Sequence, residues 1–395
     1  MAHDFDGPKN RLLSLDGGGI RALFTLEILD RVEAILRERS GKKDFVLADY
    51  FNFIGGTSTG AIVAAGLSWG LKVEEIRDYY AKFAHHIFRP LRSWRTIRHA
   101  FDRKAIAGFL QEIFTDESGQ TATLGSDRLK TLLMLVMRNG SSGSVWPITN
   151  SPGAKYNNRS HDSCNLEYPL WKLVRASTAA PTYFPTETIR VKVKGHEEVL
   201  QEFIDGAVSP YNNPALRMYA QATVPELGVG MASGTDNMYL LSIGTGRVKH
   251  TYEYGKLGNI NRLGTAIRTI TAVMDSAQVE QDTMCRVVGQ CLHGEKIDSE
   301  IGDLLSSQSD VEKRFLYCRY DHEFTKEEQE RSREASGSGK AFDLADLKSM
   351  DLLSEIGRQY AEETVLPEHL PEAGDGLGRA VLKPDGEVSP PAARA

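Results

Sequence analysis

The chain has 395 residues, of which 41% are hydrophobic and 25% are charged. This balance is typical of a water-soluble globular protein with a large core, and it excludes a disordered chain or one built from membrane spans. A formal net charge of -6 excludes a surface that attracts nucleic acid as a whole, although it leaves room for a local basic patch.

Signals for export, membrane spans and disulfides are weak in this sequence. Residues 1–11 are polar and lack the apolar core of a secretory signal. The most apolar stretch, Ala61–Leu71, is shorter than the about 20 residues that a membrane-crossing helix needs. We therefore expect a cytoplasmic protein whose membrane contact, if any, is peripheral and on the inner face. The four cysteines lack CxxC spacing, which predicts reduced and mostly buried thiols.

The first part of the chain twice shows a strand, a tight turn and a helix. The predicted elements are a strand at Arg11–Leu15, a helix at Arg21–Arg39, a strand at Tyr50–Ile54 and a helix at Thr59–Trp69. Further strands are predicted at Leu129–Met137, Val199–Ile204 and Met238–Ser242. This order predicts a mixed α/β sheet with helices on both faces.

The last part of the chain differs in composition. Residues 325–340 are charged and rich in serine and glycine, which predicts a flexible connection. A helix is predicted at Leu344–Glu362, and the Pro- and Gly-rich end beyond Pro367 is typical of a disordered tail.

A GxSxG motif lies between the second strand and the second helix. Its residues are Gly56, Thr57, Ser58, Thr59 and Gly60. Small neighbours let a serine occupy a sharp strand-to-helix turn, and the helix N-terminus behind it stabilises negative charge at the hydroxyl. The motif therefore predicts a nucleophilic serine. The alternative is a glycine-rich loop with an inert serine.

A run of three glycines lies between the first strand and the first helix. The segment reads Asp16-Gly17-Gly18-Gly19-Ile20-Arg21. Successive glycines let backbone N–H groups converge on one point, which suits either a phosphate site or an oxyanion hole. The segment has neither the Gly-Lys-Ser/Thr end of a Walker A motif nor the GxGxxG spacing of a dinucleotide fold. Arg21 either adds positive charge to this site or orients the loop through a salt bridge.

Asp205 follows the predicted strand Val199–Ile204 and precedes Gly206 and Ala207. An aspartate before a glycine at a strand end is commonly a turn residue. Only its combination with Ser58 makes Asp205 a candidate general base.

The three motifs, in this order, resemble those of the patatin-like phospholipase family, which carries a DGGGxR element, a GxSxG turn and a DG[AG] element. Further similarity lies at residues 175–185 and 242–246 and in the helix near the C-terminus. The resemblance covers roughly residues 10–365 and implies one patatin-like domain there, a three-layer α/β/α sandwich with a central mixed sheet. Residues 366–395 are then expected to form a disordered tail.

The resemblance also implies a chemistry. Ser58 would attack an ester carbonyl while Asp205 takes its proton, giving an acyl-enzyme that water hydrolyses. Backbone N–H groups of Gly17, Gly18 and Gly19, with Arg21 nearby, would stabilise the oxyanion. The scheme needs no metal or other cofactor. Family members cleave phospholipids, galactolipids, triacylglycerols and small esters, so a phospholipase A activity is expected here.

Three alternatives to this scheme stay open at the level of sequence. A Ser-His-Asp triad would add a later histidine, His250 or His293, to Ser58 and Asp205. Some bacterial patatin-like enzymes act in antiviral defence and degrade membrane lipid only when a cyclic nucleotide activates them. The third alternative is an idle module that keeps the fold for lipid or nucleotide binding.

Residues 87–104 form the most basic segment of the chain. Six arginines and lysines alternate with apolar residues at helical spacing, including Trp94. This pattern predicts either an interfacial helix on anionic lipid headgroups, as a docking or lid element, or a surface helix whose arginines are solvated.

Overall fold

The computed structural model describes residues 9–87, 103–116, 118–159, 164–181, 183–192, 198–248, 262–305, 310–337 and 340–372. The predicted basic segment lies largely outside them, as do His250 and the chain beyond residue 372.

Strands and helices alternate through most of the described chain. The strands are β1 (Asn10–Leu15), β2 (Phe53–Thr57), β3 (Leu132–Asn139), β4 (Val145–Thr149), β5 (Glu187–Val191), β6 (Val199–Asp205), β7 (Met238–Ile243), β8 (Gln290–His293) and β9 (Leu316–Tyr320). The helices are α1 (Ala22–Ser40), α2 (Thr59–Trp69), α3 (Val73–Ile87), α4 (Arg103–Ile113), α5 (Leu170–Ser177), α6 (Ala215–Thr223), α7 (Arg262–Val288), α8 (Lys326–Ser336) and α9 (Met350–Thr364).

One mixed sheet joins the described strands in the order β5-β6-β3-β2-β1-β7-β9-β8, with β4 also paired to β3. The central strands β3, β2, β1, β7, β9 and β8 are parallel. β4 and β6 run antiparallel to β3, and β5 runs antiparallel to β6. Because the parallel strands end at the same edge of the sheet, the loops after β1, β2 and β7 lie close together there.

Helices cover both faces of this sheet. Alternate residues of each buried strand point to opposite faces, so Leu13 packs into one core and Leu12 into the other. Residues of α1, α2, α3, α4, α5 and α9 fill the first core, and residues of α6 and α7 contribute to the second. The expected α/β/α sandwich with a central mixed sheet is confirmed.

The described C-terminal residues belong to this body. α9 packs along α1, where Gly357 lets the two helices approach: a Cβ at this position would lie 3.1 Å from Cα of Phe24. Beyond α9, the hydroxyl of Tyr50 donates a hydrogen bond of 2.6 Å to the carbonyl of Pro371.

The prediction of a flexible connection at residues 325–340 is wrong for most of that segment. Residues Lys326–Ser336 form α8, which a capping box starts: Thr325 accepts a hydrogen bond from the backbone of Glu328, and the Glu328 side chain accepts one from the backbone of Thr325. The helix is almost entirely polar, so apolar periodicity could not indicate it.

Within the described residues, no helix is both long enough and apolar enough to span a bilayer.

Candidate active site

Ser58 lies at the turn between β2 and α2, which we call the serine turn (Gly56–Gly60). Its backbone has φ 55° and ψ -125°, a conformation that few residues other than glycine adopt. Such strain persists only where the surroundings impose it, and it is found often at functional sites. Ser58 is 9% exposed, and the hydrogen bond of its hydroxyl is buried.

Two glycines make this turn possible through close backbone contacts. A Cβ at Gly56 would overlap the carbonyl oxygen of Gly60, and a Cβ at Gly60 would lie 2.5 Å from the carbonyl oxygen of Asp16. The helix α2 can therefore start directly against the end of β1. Thr57 fixes the turn from the other side, because its hydroxyl donates a 2.6 Å hydrogen bond to the carbonyl of Tyr211.

Sheet topology brings Asp205 to Ser58. β2 ends at Thr57, which pairs with Val136 of β3, and β6 ends at Asp205, which pairs with Met137. β4 pairs along one edge of β3, so β2 and β6 both pair along the opposite edge. Because β2 runs parallel to β3 and β6 runs antiparallel to it, the carboxyl ends of β2 and β6 meet on that edge. Residues separated by 147 positions are thereby placed in contact, and Ser58 Oγ donates a hydrogen bond of 2.6 Å to Asp205 Oδ2.

The environment of Asp205 suits a proton acceptor near neutral pH. Asp205 is 2% exposed, and its Oδ1 accepts a hydrogen bond of 2.8 Å from the backbone of Ala207. Burial raises the pKa of Asp205 to about 6, against the opposing effects of the hydrogen bonds from Ser58 and Ala207 and of the Arg175 charge. The group is therefore ionised at pH 7 but more basic than an ordinary aspartate.

Residues 175–181 connect the serine turn with Asp205, a role that the motifs did not reveal. Ser177 accepts a hydrogen bond of 2.9 Å from the backbone N–H of Ser58 and donates one of 2.5 Å to the carbonyl of Val136. The carbonyl of Ala179 accepts a 3.0 Å hydrogen bond from the backbone of Asp205. The similarity of this segment to the family indicated its importance, but its contacts join residues that lie far apart in the sequence.

The glycine loop (Gly17–Gly19) lies beside the serine turn. A Cβ at Gly17 would be 2.9 Å from Cβ of Ser58, so the glycine loop packs closely against the serine turn. Gly17 N–H donates to the carbonyl of Asn212 at 3.3 Å, and Gly18 N–H donates to the hydroxyl of Thr59 at 3.1 Å. In this conformation both groups have acceptors within the protein.

Arg21 connects the end of the glycine loop with the segment after β7. Its Nη1 donates a hydrogen bond of 3.1 Å to the carbonyl of Gly246. Burial lowers the pKa of Arg21, while the charges of Asp275, Asp321 and Asp343 act in the opposite direction. Both roles that the sequence allows for Arg21 stay predictions.

Asp16, directly before the glycine loop, is fully buried in a network of polar side chains. Arg319 of β9 binds its two oxygens at 3.1 and 2.7 Å, and Gln278 of α7 donates to Oδ2 at 2.9 Å. Burial raises the pKa of Asp16, and the guanidinium of Arg319 opposes that rise. Sequence analysis missed both partners; the one available signal was an arginine within the otherwise apolar strand β9.

His293 is remote from Ser58. It lies on β8, the fourth strand along the sheet from β2, which at about 4.8 Å per strand corresponds to about 19 Å. Its ring packs against Tyr320 and His369. Desolvation lowers the pKa of His293 to about 4, so the ring is neutral at pH 7.

The four cysteines are free in this structure, three buried and Cys291 half-buried. Among the residues that the structure describes, no group of three or more histidines, cysteines and acidic residues is arranged to hold a metal ion.

This chain is similar in sequence to known proteins. The family model described as patatin-like phospholipase matches residues 13–219. Patatin-17 of Solanum cardiophyllum is 31% identical over 247 residues, which cover 60% of this chain and 60% of that protein. A cGAMP-activated phospholipase of Vibrio cholerae is 31% identical over 185 residues, covering 44% of this chain and 49% of that protein. The alignment thus spans 60% of the length of the patatin.

A solved structure, VipD from Legionella pneumophila, aligns with 89% of this chain and 67% of its own at a TM-score of 0.31 and 13% identity, which is too weak a likeness to carry a conclusion. The family match covers more than half of the chain and includes the glycine loop, the serine turn and Asp205. The chain therefore belongs to the patatin-like phospholipase family.

Proposed function

We propose that this protein is a lipid acyl hydrolase of the phospholipase A type, which uses Ser58 as nucleophile and Asp205 as general base. The observation that carries the proposal is the hydrogen bond of 2.6 Å from Ser58 Oγ to a buried carboxylate oxygen, made at a strained strand-to-helix turn. Geometry of this kind is what an activated serine requires. The family supports an ester in a lipid as the substrate.

In the proposed reaction, Ser58 Oγ attacks the ester carbonyl carbon as Asp205 accepts the hydroxyl proton. The tetrahedral intermediate then collapses: the bond from carbon to the leaving oxygen breaks, and that oxygen takes the proton from Asp205. The lysolipid departs and an acyl-enzyme remains. Water attacks the acyl-enzyme with Asp205 again as base, and the fatty acid leaves as Ser58 regains its proton.

We propose Gly17, Gly18 and Gly19 as the source of the oxyanion donors. Contact between Gly17 and Ser58 supports this, because the carbonyl attacked by Ser58 must lie beside the same backbone. To bind the oxyanion, the N–H groups of Gly17 and Gly18 must first release their present acceptors, the carbonyl of Asn212 and the hydroxyl of Thr59. An oxyanion donor is typically worth about 3–4 kcal/mol in the transition state, more than a neutral hydrogen bond at about 1 kcal/mol.

We also propose that residues 10–365 form one domain, although the family match ends at residue 219. Support comes from β7 and β9, which pair beside β1 in the same sheet, and from α9, which packs along α1. Removing the later elements would expose both cores.

Fatty acid release from phospholipid vesicles tests the proposed chemistry. We expect Ser58→Ala to abolish release and Asp205→Asn to reduce it by at least about 100-fold. Ser68→Ala, near the other end of α2, is the matched control and should retain activity. Release that persists in folded Ser58→Ala would contradict the proposal.

The double variant His250→Ala/His293→Ala separates the dyad from a triad, because only a triad loses activity when these histidines are removed.

A second candidate function is a phospholipase that a cyclic nucleotide switches on, as an effector of antiviral defence. It is favoured by the similarity to a relative named cGAMP-activated phospholipase. The test is release of fatty acid with and without cGAMP and other cyclic oligonucleotides. Activation by one of them would support this function, and full activity without any would exclude it.

A further inference from the structure

Arg319 is a fully buried arginine whose contacts converge on the residue before the glycine loop. The side chain is 2% exposed, and its two terminal nitrogens bind both oxygens of Asp16. The same nitrogens donate to the Ser242 hydroxyl at 2.7 Å and to Asp321 Oδ2 at 2.9 Å. Arg319 therefore connects the ends of β1, β7 and β9.

Gln278 of α7 extends this contact to the glycine loop itself. Its amide nitrogen donates to Asp16 Oδ2, and its amide oxygen accepts a 2.8 Å hydrogen bond from Asn212 Nδ2. Asn212 in turn donates to the carbonyl of Gly17 at 3.2 Å and accepts from the N–H of Gly17 through its backbone. A continuous chain of hydrogen bonds thus leads from Arg319 to both polar groups of Gly17.

Glycines cannot fix their own loop, because they carry no side chain and their backbone is conformationally permissive. The position of the loop must then come from its neighbours. Burying a charged pair costs free energy that an apolar pair would not. A forked guanidinium, however, holds a carboxylate in one orientation, which a lysine or an apolar residue cannot do.

We propose that Arg319 and Gln278 are positioning residues for the proposed oxyanion donors, acting through Asp16 and Asn212. Both lie outside the part of the chain that the family model matches. The inference rests on the proposed function, because it holds that these residues affect the rate of catalysis at the same site.

The test compares Arg319→Lys with Arg286→Lys. Arg286 is a matched control because it is also buried and binds the two oxygens of a carboxylate, that of Asp282, but its hydrogen bonds do not reach the glycine loop. We expect both variants to lower the melting temperature. Only Arg319→Lys should lower kcat for lipid hydrolysis, by about 10- to 100-fold, with KM nearly unchanged, because a displaced oxyanion donor acts in the transition state.

A second pair keeps the test decisive where Arg319→Lys does not fold. Gln278→Met removes the two hydrogen bonds at similar side-chain length, and Gln281→Met on the same helix is its control. We expect kcat to fall about 10-fold in Gln278→Met alone. Unchanged kcat in Gln278→Met, or equal loss of kcat in the variants and their controls, overturns the inference. An inactive wild-type protein that fluorophosphonates do not label would instead overturn the proposed function.

Discussion

The serine turn and the glycine loop lie side by side, but different parts of the chain hold them. The serine turn is fixed by backbone contacts of Gly56 and Gly60 and by the hydroxyl of Ser177, all within the family match. The glycine loop is tied through Asp16 to side chains of α7 and β9, which follow that match. Both halves are sterically tight, since a Cβ at Gly18 would overlap the hydroxyl of Thr245, but the glycine loop is in addition tied to buried charge and amide groups.

Because of this difference, we expect substitutions in the two halves to have different effects. Steric fit at the serine turn is local and all-or-none, since a single methyl group cannot be accommodated without moving the backbone. The polar network spreads its support over several groups, so the loss of one shifts the glycine loop by degrees. The later part of the chain therefore does more than cover the sheet.

The largest effect should come from Gly60→Ala, which tests the steric half. The new Cβ would lie 2.5 Å from the carbonyl oxygen of Asp16, so the turn must shift and activity should fall at least about 100-fold. We expect a loss of about 3 kcal/mol in the free energy of unfolding. Gly108→Ala on α4 is the control, because among the described residues no atom beyond the adjoining α4 backbone lies within 4 Å of a Cβ at that position. Normal activity in Gly60→Ala would show that the serine turn does not depend on steric fit at this position.

Ser177→Ala should give the next largest effect. It removes the acceptor of the Ser58 N–H and the donor to Val136, and one lost hydrogen bond of about 1.4 kcal/mol in the transition state corresponds to a 10-fold lower kcat. Ser332→Ala offers a control, since this buried hydroxyl accepts a hydrogen bond from the backbone of Phe342. We expect the two variants to lose similar stability and only Ser177→Ala to lose kcat. Equal kcat values in the two variants would contradict a role for Ser177 in holding the serine turn.

The pH dependence of kcat/KM should show the basicity of Asp205. Its pKa is raised to about 6, and only the ionised form accepts the proton of Ser58. Activity should therefore be constant above about pH 7 and fall about 10-fold per pH unit below pH 6. An acid limb near pH 4, the value of an unperturbed aspartate, would show that the pKa of the base is not raised by burial.

The smallest effect concerns His322, which follows β9 and lies outside the site. Burial lowers the pKa of its imidazole, but hydrogen bonds and charges of Glu295 and Glu328 outweigh burial and raise it to about 9. Since the folded pKa exceeds the unfolded value of about 6.5, this stabilisation is complete below pH 6.5 and is lost as pH rises through 9. We expect the free energy of unfolding to fall by about 2 kcal/mol more in wild type than in His322→Gln over that range. A matching fall in both proteins would refute this role.

The sequence predicts the steric half of the site well and the polar half poorly. The sequence predicts the turn at Gly56, Ser58 and Gly60 because the turn requires small residues at a fixed local spacing. Helix α2 occupies the predicted range Thr59–Trp69 for the same reason. The contact of Arg319 with Asp16 joins residues 303 positions apart, and no local pattern encodes it. α8 was missed because it is polar, although the Thr325 and Glu328 capping box was a readable start signal.

The most direct test of the central claim is covalent labelling by a fluorophosphonate, followed by identification of the modified peptide. We predict that wild type is labelled at Ser58 and that Asp205→Asn reacts at least about 100-fold more slowly, because the hydroxyl loses its proton acceptor. Folded wild-type protein that stays unlabelled at Ser58, or an Asp205→Asn variant that reacts as fast as wild type, would contradict it.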